Sequence, residues 1–254
     1  TIFIMHNSDD LLSMHTKYMV DNVTKKYLYA TQKKIYENAT KIVFVSDTAQ
    51  KNFCENFPEY KYKTECIYIG LKLNFKEEIS RDLNTLSLVM VGTVCERKNQ
   101  LAMIEVLKEI KDKTIMLTIV GDGPMLEHCK KYVKKNQMEK QVKFTGPQAN
   151  VFRFLQQANV FISTSLDEGL PVSAQEAMSV SLPLILTDVG GCRDLISNNG
   201  LLIGTSKKEI RRAVEYANVN KDKLCLWGKE SKKIIEEKFS INEMLNGYLK
   251  IIRS

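Results

Sequence analysis

Short apolar runs recur along the chain, and each is followed by a longer stretch in which apolar and polar residues mix. In the first third these runs are Ile2-Phe-Ile-Met5, Lys41-Ile-Val-Phe-Val45 and Glu65-Cys-Ile-Tyr-Ile69, with helices predicted within residues 16–37 and from about Asp47. Strands this short and this apolar belong to a parallel sheet covered on both faces. Residues 74–85 lose the pattern and turn polar, as a linker between domains would. The pattern restarts at Leu86-Ser-Leu-Val-Met-Val-Gly92. Further strands are predicted at 115–120, 142–144, 160–163, 184–187 and 201–203, and helices near 100–110, up to about 136, and at 151–158, 172–180, 193–196 and 207–216. Such βα alternation predicts an α/β fold with a doubly wound parallel sheet. A polar helical stretch, 226–238, breaks near Phe239-Ser-Ile-Asn242 and resumes over 243–252.

The segment Ser163-Thr-Ser-Leu-Asp-Glu-Gly-Leu-Pro-Val-Ser-Ala-Gln-Glu-Ala-Met178 carries the clearest chemistry. It joins a predicted buried strand to a predicted helix, at the carboxyl edge of the sheet. Ligands of open α/β sheets collect at that edge, and the free N–H groups of a helix N-terminus favour phosphate. Gly169 lets the backbone approach closely, and Pro171 fits the first helical turn without wasting a donor. Glu176, early in the helix, is placed to accept two hydrogen bonds from a vicinal diol such as a ribose. Glu168, on the turn, is placed to meet a sugar. Spacing alone would be weak support, because charged residues make up 26% of the chain and a solvated helix face gives the same pattern.

Bulk properties narrow the function. The chain has 254 residues, 44% of them hydrophobic, enough for one large or two modest domains. No apolar run reaches the length of a membrane span and no signal peptide opens the sequence. It begins inside an apolar run, so the numbering is expected to start within a longer protein. The net charge of +7 comes from dispersed lysines with short clusters such as Lys130-Lys131 and Lys232-Lys233. Dispersed lysine is mainly solvated surface. The other reading is peripheral contact with an anionic membrane, on the inner face of a cell membrane. Six cysteines without a Cys-x-x-Cys pair suit reduced thiols in a cytoplasmic protein. With three scattered histidines and no Asp-x-Asp motif, neither a zinc site nor another divalent cation is expected. No nucleic-acid partner is expected.

Taken with Pro183-Leu-Ile-Leu-Thr-Asp-Val-Gly-Gly191, the segment resembles the C-terminal half of retaining GT-B glycosyltransferases of glycosyltransferase family 4. The hallmarks are Glu-x7-Glu, then an apolar strand and a Gly-Gly loop. The resemblance implies a metal-independent transfer from a nucleotide-diphosphate sugar to a glycan or lipid-linked acceptor, in polysaccharide biosynthesis, with no other cofactor. It implies a donor site made by Gly92, Arg97, Lys98, Gly169, Leu170, Pro171, Glu176, Gly190 and Gly191, with Glu168 and His6 as catalytic residues. Gly92-Thr-Val-Cys-Glu-Arg-Lys-Asn99 resembles the family's Gly-Arg-x4-Lys loop: Lys98 matches the phosphate-binding lysine, and the arginine position is Thr93. Arg97 is the candidate substitute or an exposed side chain. Phe144-Thr-Gly146 resembles the segment beside the base, Gly121-Asp-Gly-Pro124 a structural turn, and Asp194 stands where relatives commonly have Glu. The implied organisation is a partial N-terminal Rossmann-like domain (1–75), a linker (76–85), a C-terminal nucleotide-sugar domain (86–238) and a helix crossing back (239–254). Two alternatives stay open. One is another GT-B enzyme, such as a sugar-nucleotide epimerase or a phosphorylase, although no acid–base set or pyridoxal lysine is evident. The other is a non-catalytic nucleotide-sugar-binding module.

Overall fold

The computed structural model describes residues 1–6, 21–72 and 81–253. The first sheet is β1 (Ile2–Met5), β2 (Lys41–Phe44) and β3 (Thr64–Cys66), three parallel strands in that order. Helices α1 (Asn22–Asn38) and α2 (Asp47–Asn56) follow β1 and β2. An aromatic core holds them together, with Tyr36 edge-on to Phe53 at 4.9 Å and Ile42 and Phe44 buried beside them. β3 is shorter than its apolar run predicts. The Ile67 N–H still donates to Phe44 (2.8 Å), and beyond it the chain takes a different partner: the N–H of Leu71 donates to Phe239 (2.8 Å) and that of Ile241 to Leu71 (3.0 Å).

The second sheet contains β4 (Ser87–Val91), β5 (Met116–Val120), β6 (Val142–Phe144), β7 (Val160–Ser163), β8 (Leu184–Thr187) and β9 (Gly200–Ile203). Its order is β6-β5-β4-β7-β8-β9, every pairing parallel. Successive side chains on a strand point to opposite faces, and the two cores divide accordingly. Leu88 and Met90 join the layer with α3 (Gln100–Glu109), α4 (Leu126–Lys135) and α7 (Lys207–Val219). Val89 and Phe161 join the layer with α5 (Phe152–Gln157), α6 (Val172–Ser179) and α8 (Lys221–Lys238). α8 begins earlier than its polar N-terminal sequence suggests, because Leu224 is buried in the core. α9 (Ile241–Arg253) then lies along residues 67–71, with Tyr68 and Phe239 ring centroids 4.7 Å apart and the Gly70 N–H 3.3 Å from Met244 Sδ.

The strand order reverses between β4 and β7, which creates a crevice at the carboxyl edge. The Gly121–Pro124 segment braces the loop on one side of it. Gly121 has φ +144°, and a Cβ there would stand 2.0 Å from the carbonyl oxygen of Gly92. The N–H of Val94 donates to Asp122 (2.9 Å) and that of Met125 to Val94 (3.0 Å). Gly121→Ala should therefore destabilise the chain by at least about 1–3 kcal/mol through backbone strain alone. Urea unfolding measures this, and an unchanged midpoint would contradict the close loop packing.

Candidate active site

Three loops of the second sheet and one helix end of the first meet at the crevice. After β4 the chain passes Gly92 (φ +140°) and a 3₁₀ turn, Glu96–Lys98, that closes on Asn99 in the left-handed region (φ 54°). That turn is tied to the segment after β7. The Leu166 N–H donates to the Arg97 carbonyl (2.7 Å), and the Thr164 hydroxyl to the Asn99 carbonyl (2.9 Å). The Thr187 hydroxyl, at the end of β8, donates to the Ser165 carbonyl (2.6 Å). The loops of adjacent strands are thus fixed to each other by backbone carbonyls.

Glu168 is at the centre, only 6% exposed. Its Oε1 accepts from Lys98 Nζ at 2.5 Å and from the Ser165 hydroxyl at 2.7 Å, while Oε2 lies 3.3 Å from an Arg97 guanidinium nitrogen. A buried carboxylate must be paired, or its desolvation would be very costly. Two cations meet this one anion, so a positive charge is left over. An ammonium carries three donors, and Lys98 remains partly exposed, as does Arg97, whose guanidinium also donates to the Asp167 carbonyl (2.6 Å). Arg97 is therefore part of the cluster and not a detached surface residue. Thr93 supplies no cation; its carbonyl accepts from Gln100 (2.9 Å).

Glu176 differs in every respect. It is the fifth residue of α6, half-buried, and no described side chain pairs with its carboxylate. Burial pushes its pKa up from the ordinary carboxylate value. Its neighbour Gln175 is buried and donates to the Ile69 carbonyl (3.0 Å), which fixes the orientation of α6 toward the first sheet. At the other end of α6, Arg81 donates to the carbonyls of Val180 (2.5 Å) and Ser181 (3.3 Å), a favourable place for a cation. Pro171 occupies the N-cap, φ −71° and ψ 103°, one residue before the first helical turn expected for it. Ala174 and Gln175 donate to its carbonyl, while the N–H groups of Val172 and Ser173 meet no described acceptor. Leu170 is buried against the sheet behind this helix start.

The glycine pair begins a 3₁₀ turn, Gly190–Leu195, earlier than the helix predicted at 193–196. Gly190 takes φ +49°. The N–H of Gly191 donates to the Gly169 carbonyl (2.7 Å), so this amide is already engaged. A Cβ at Gly191 would lie 2.3 Å from that oxygen and 2.9 Å from Ser46 Oγ, and only glycine fits. Cys192 is fully buried; burial, then the nearby Glu168 charge, pushes its thiol up to about 12, leaving it inert. His6 stands exposed just beyond β1, at the same sheet edge as Val45, whose N–H donates to Met5 (3.3 Å). Among the described residues no hydrogen bond or ion pair joins His6 to the Glu168 cluster. Nor do the described residues contain a group of three or more His, Cys, Asp or Glu arranged for a metal.

These sheets and their crevice form a GT-B glycosyltransferase fold, and the likeness to solved structures spans the whole chain. Crystal structures of Anabaena HepE in complex with UDP (TM-score 0.82, 16% identity, 99% of this chain and 71% of that one) and of an S. aureus TarM mutant in complex with Fondaparinux, α-GlcNAc-glycerol and UDP (0.80, 18%, 100% and 50%) superpose on it. The family model for glycosyl transferases group 1 matches residues 72–236, and the chain belongs to that family. An uncharacterized glycosyltransferase of Methanocaldococcus jannaschii is 26% identical over 180 residues, 66% of this chain and 44% of that protein. The O-antigen biosynthesis glycosyltransferase WbnH of Escherichia coli is 34% identical over 122 residues, 48% of this chain and 34% of that protein. The chain thus spans less than half the length of these two relatives.

Removing Lys98 tests the cluster directly. Lys98→Met leaves the Glu168 charge with only Arg97 and Ser165, and should cost about 1–3 kcal/mol, read as a fall of roughly 2–4 °C in melting temperature per kcal/mol. The double variant Lys98→Met/Glu168→Gln should recover most of the loss. A single variant as stable as the wild type would show that the pair does not neutralise a buried charge.

Proposed function

We propose that this chain binds a nucleotide-diphosphate sugar in the crevice and acts in a retaining glycosyl transfer to a glycan or lipid-linked acceptor, in polysaccharide biosynthesis. The observation that carries the reading is the pairing of opposites at one sheet edge. An excess of positive charge at Lys98 and Arg97 stands with the helix amides of Val172 and Ser173, and α6 also carries the half-buried Glu176 carboxylate, none of these amides or this carboxylate having a partner among the described residues. The cations and amides suit a diphosphate. Glu176 suits the vicinal hydroxyls of a ribose, which would satisfy a carboxylate that lacks a partner. HepE and TarM are crystallised with UDP, and UDP is accordingly the first nucleotide to try.

In this reading the bond between the sugar's anomeric carbon and the diphosphate oxygen breaks as the acceptor hydroxyl attacks from the same face. The acceptor proton passes to the departing phosphate, and Lys98 with the helix amides stabilises the charge that develops there. Glu168, whose oxygens are held by Lys98, Ser165 and Arg97, is poorly disposed to attack carbon. Its role is to orient the sugar through its remaining lone pairs. His6, just beyond β1, is assigned a role at the sugar. In this reading the first sheet belongs to the acceptor side and the second sheet to the nucleotide-sugar side, with α9 returning to the first. No described helix is long and apolar enough to cross a membrane, and a lipid-linked acceptor would be met by peripheral contact of the lysine-rich surface with the inner face.

Calorimetry with UDP, GDP and ADP should detect binding of at least one, unchanged by EDTA because the positive charge is supplied by Lys98, Arg97 and helix amides. A requirement for Mg²⁺ or Mn²⁺ would contradict this. Glu176→Gln separates binding from folding. Loss of charge-assisted bonds worth about 1.5–3 kcal/mol should weaken nucleotide binding roughly ten- to a hundredfold. Stability should move the other way. A carboxyl with a raised folded-state pKa contributes stability below its ordinary value and loses it as pH rises through the raised one. Once ionised, Glu176 therefore opposes folding, and the variant should melt at the same or a higher temperature. Lower stability with unchanged nucleotide affinity would make Glu176 a structural residue.

A further inference from the structure

Asp194 lies near the end of the 3₁₀ turn Gly190–Leu195, yet its carboxylate is used on the other sheet. Oδ2 accepts from the backbone N–H groups of Asp47 (2.7 Å) and Thr48 (3.3 Å), and Oδ1 accepts from the Thr48 hydroxyl (2.5 Å). These are the first two residues of α2. The helix's own cap, Ser46, accepts only from Ala49 (3.1 Å). The N-terminus of α2 is thus capped by two side chains, one from each sheet. Capping matters because the first N–H groups of a helix have no partner within it.

The same turn touches the candidate donor site at its other end. Gly191 donates to the Gly169 carbonyl at 2.7 Å, inside the Gly169–Pro171 turn that precedes α6, and it is packed so closely on Ser46 that no Cβ could be added. Anything that fixes Gly169 fixes Gly191, and with it Asp194 three residues on. The only partners of the Asp194 carboxylate among the described residues are these groups of α2; Lys51 nearby is paired with Asp47 (2.6 Å). Below them, burial first and then the Asp194 and Asp47 charges hold the Cys66 thiol at about 12, so it stays neutral beside the two acids.

We propose that Asp194 is a positioning residue that couples occupation of the Gly169–Pro171 turn to α2, and so sets the first sheet against the bound donor. The inference rests on the nucleotide reading above. It predicts transmission: a nucleotide that settles on the turn stiffens a helix of the other sheet without touching Asp194.

Hydrogen–deuterium exchange of the 254-residue chain, with and without saturating UDP, tests this. In the wild type, UDP should slow exchange over residues 47–56 at least about threefold. Asp194→Ala should bind UDP within about twofold of wild type but lose this slowing, while Asp194→Asn, which keeps an acceptor for the backbone N–H groups, should restore part of it. Thr48→Val, which removes only the hydroxyl bond, should reduce the slowing and keeps the test available if Asp194→Ala does not fold. Slowing of α2 that persists in both Asp194→Ala and Thr48→Val would overturn the inference, as would UDP binding to the wild type with α2 unchanged. Loss of UDP binding in folded Asp194→Ala would place Asp194 in the nucleotide site instead and overturn it too. If the wild type binds none of UDP, GDP and ADP, the nucleotide reading itself fails and carries this inference with it.

Discussion

The burial of the Glu168 carboxylate governs the geometry of the crevice. An anion at 6% exposure forces its surroundings to supply compensation. Lys98 and Arg97 come from the loop after β4, and Ser165 from the segment after β7. Loops on neighbouring strands are locked by the one charge that both must satisfy. Backbone bonds from Leu166 to Arg97 and from Thr164 to Asn99 reinforce the lock. The local surplus of positive charge follows from the same arrangement, since two cations serve one acid.

The two glutamates of the motif therefore occupy opposite states. Glu168 is held by three groups of the protein, whereas Glu176 is half-buried and meets no partner among the described residues. An unpaired carboxylate opposes folding, and such local conflicts are expected where a protein keeps groups ready for a ligand. The upward displacement of its pKa by burial expresses this cost. Between the glutamates, the Gly169 carbonyl reaches out to Gly191, and the turn beyond it ends at α2. Two sheets that share few strand-level contacts are thereby joined at the place where the proposed chemistry lies.

Much of this was legible in the sequence because it rests on local pattern. The short, largely apolar runs of β4, β7 and β8 read as buried strands, and the Glu-Gly-Leu-Pro turn as the opening of the next helix. Four features were not legible, for identifiable reasons. The placement of Arg97 depends on a 3₁₀ turn closed by Asn99 at positive φ, which the surrounding Glu-Arg-Lys-Asn sequence does not announce. Beyond β3 the apolar run pairs with a segment far away in the chain, Leu71 with Phe239, which local pattern cannot announce. The Asp194 cap on α2 spans 146 residues, a separation at which no periodicity or turn signal operates. Pro171 sits one position earlier than expected because its extended ψ of 103° belongs to a cap and not to a helical turn.

A crystal structure of the chain with UDP bound tests the central claim most directly. Ribose hydroxyls are expected within hydrogen-bond distance of the Glu176 carboxylate, and diphosphate oxygens at Lys98 Nζ and the N–H groups of Val172 and Ser173. UDP bound with its ribose away from Glu176, or its phosphates away from Lys98, would contradict it.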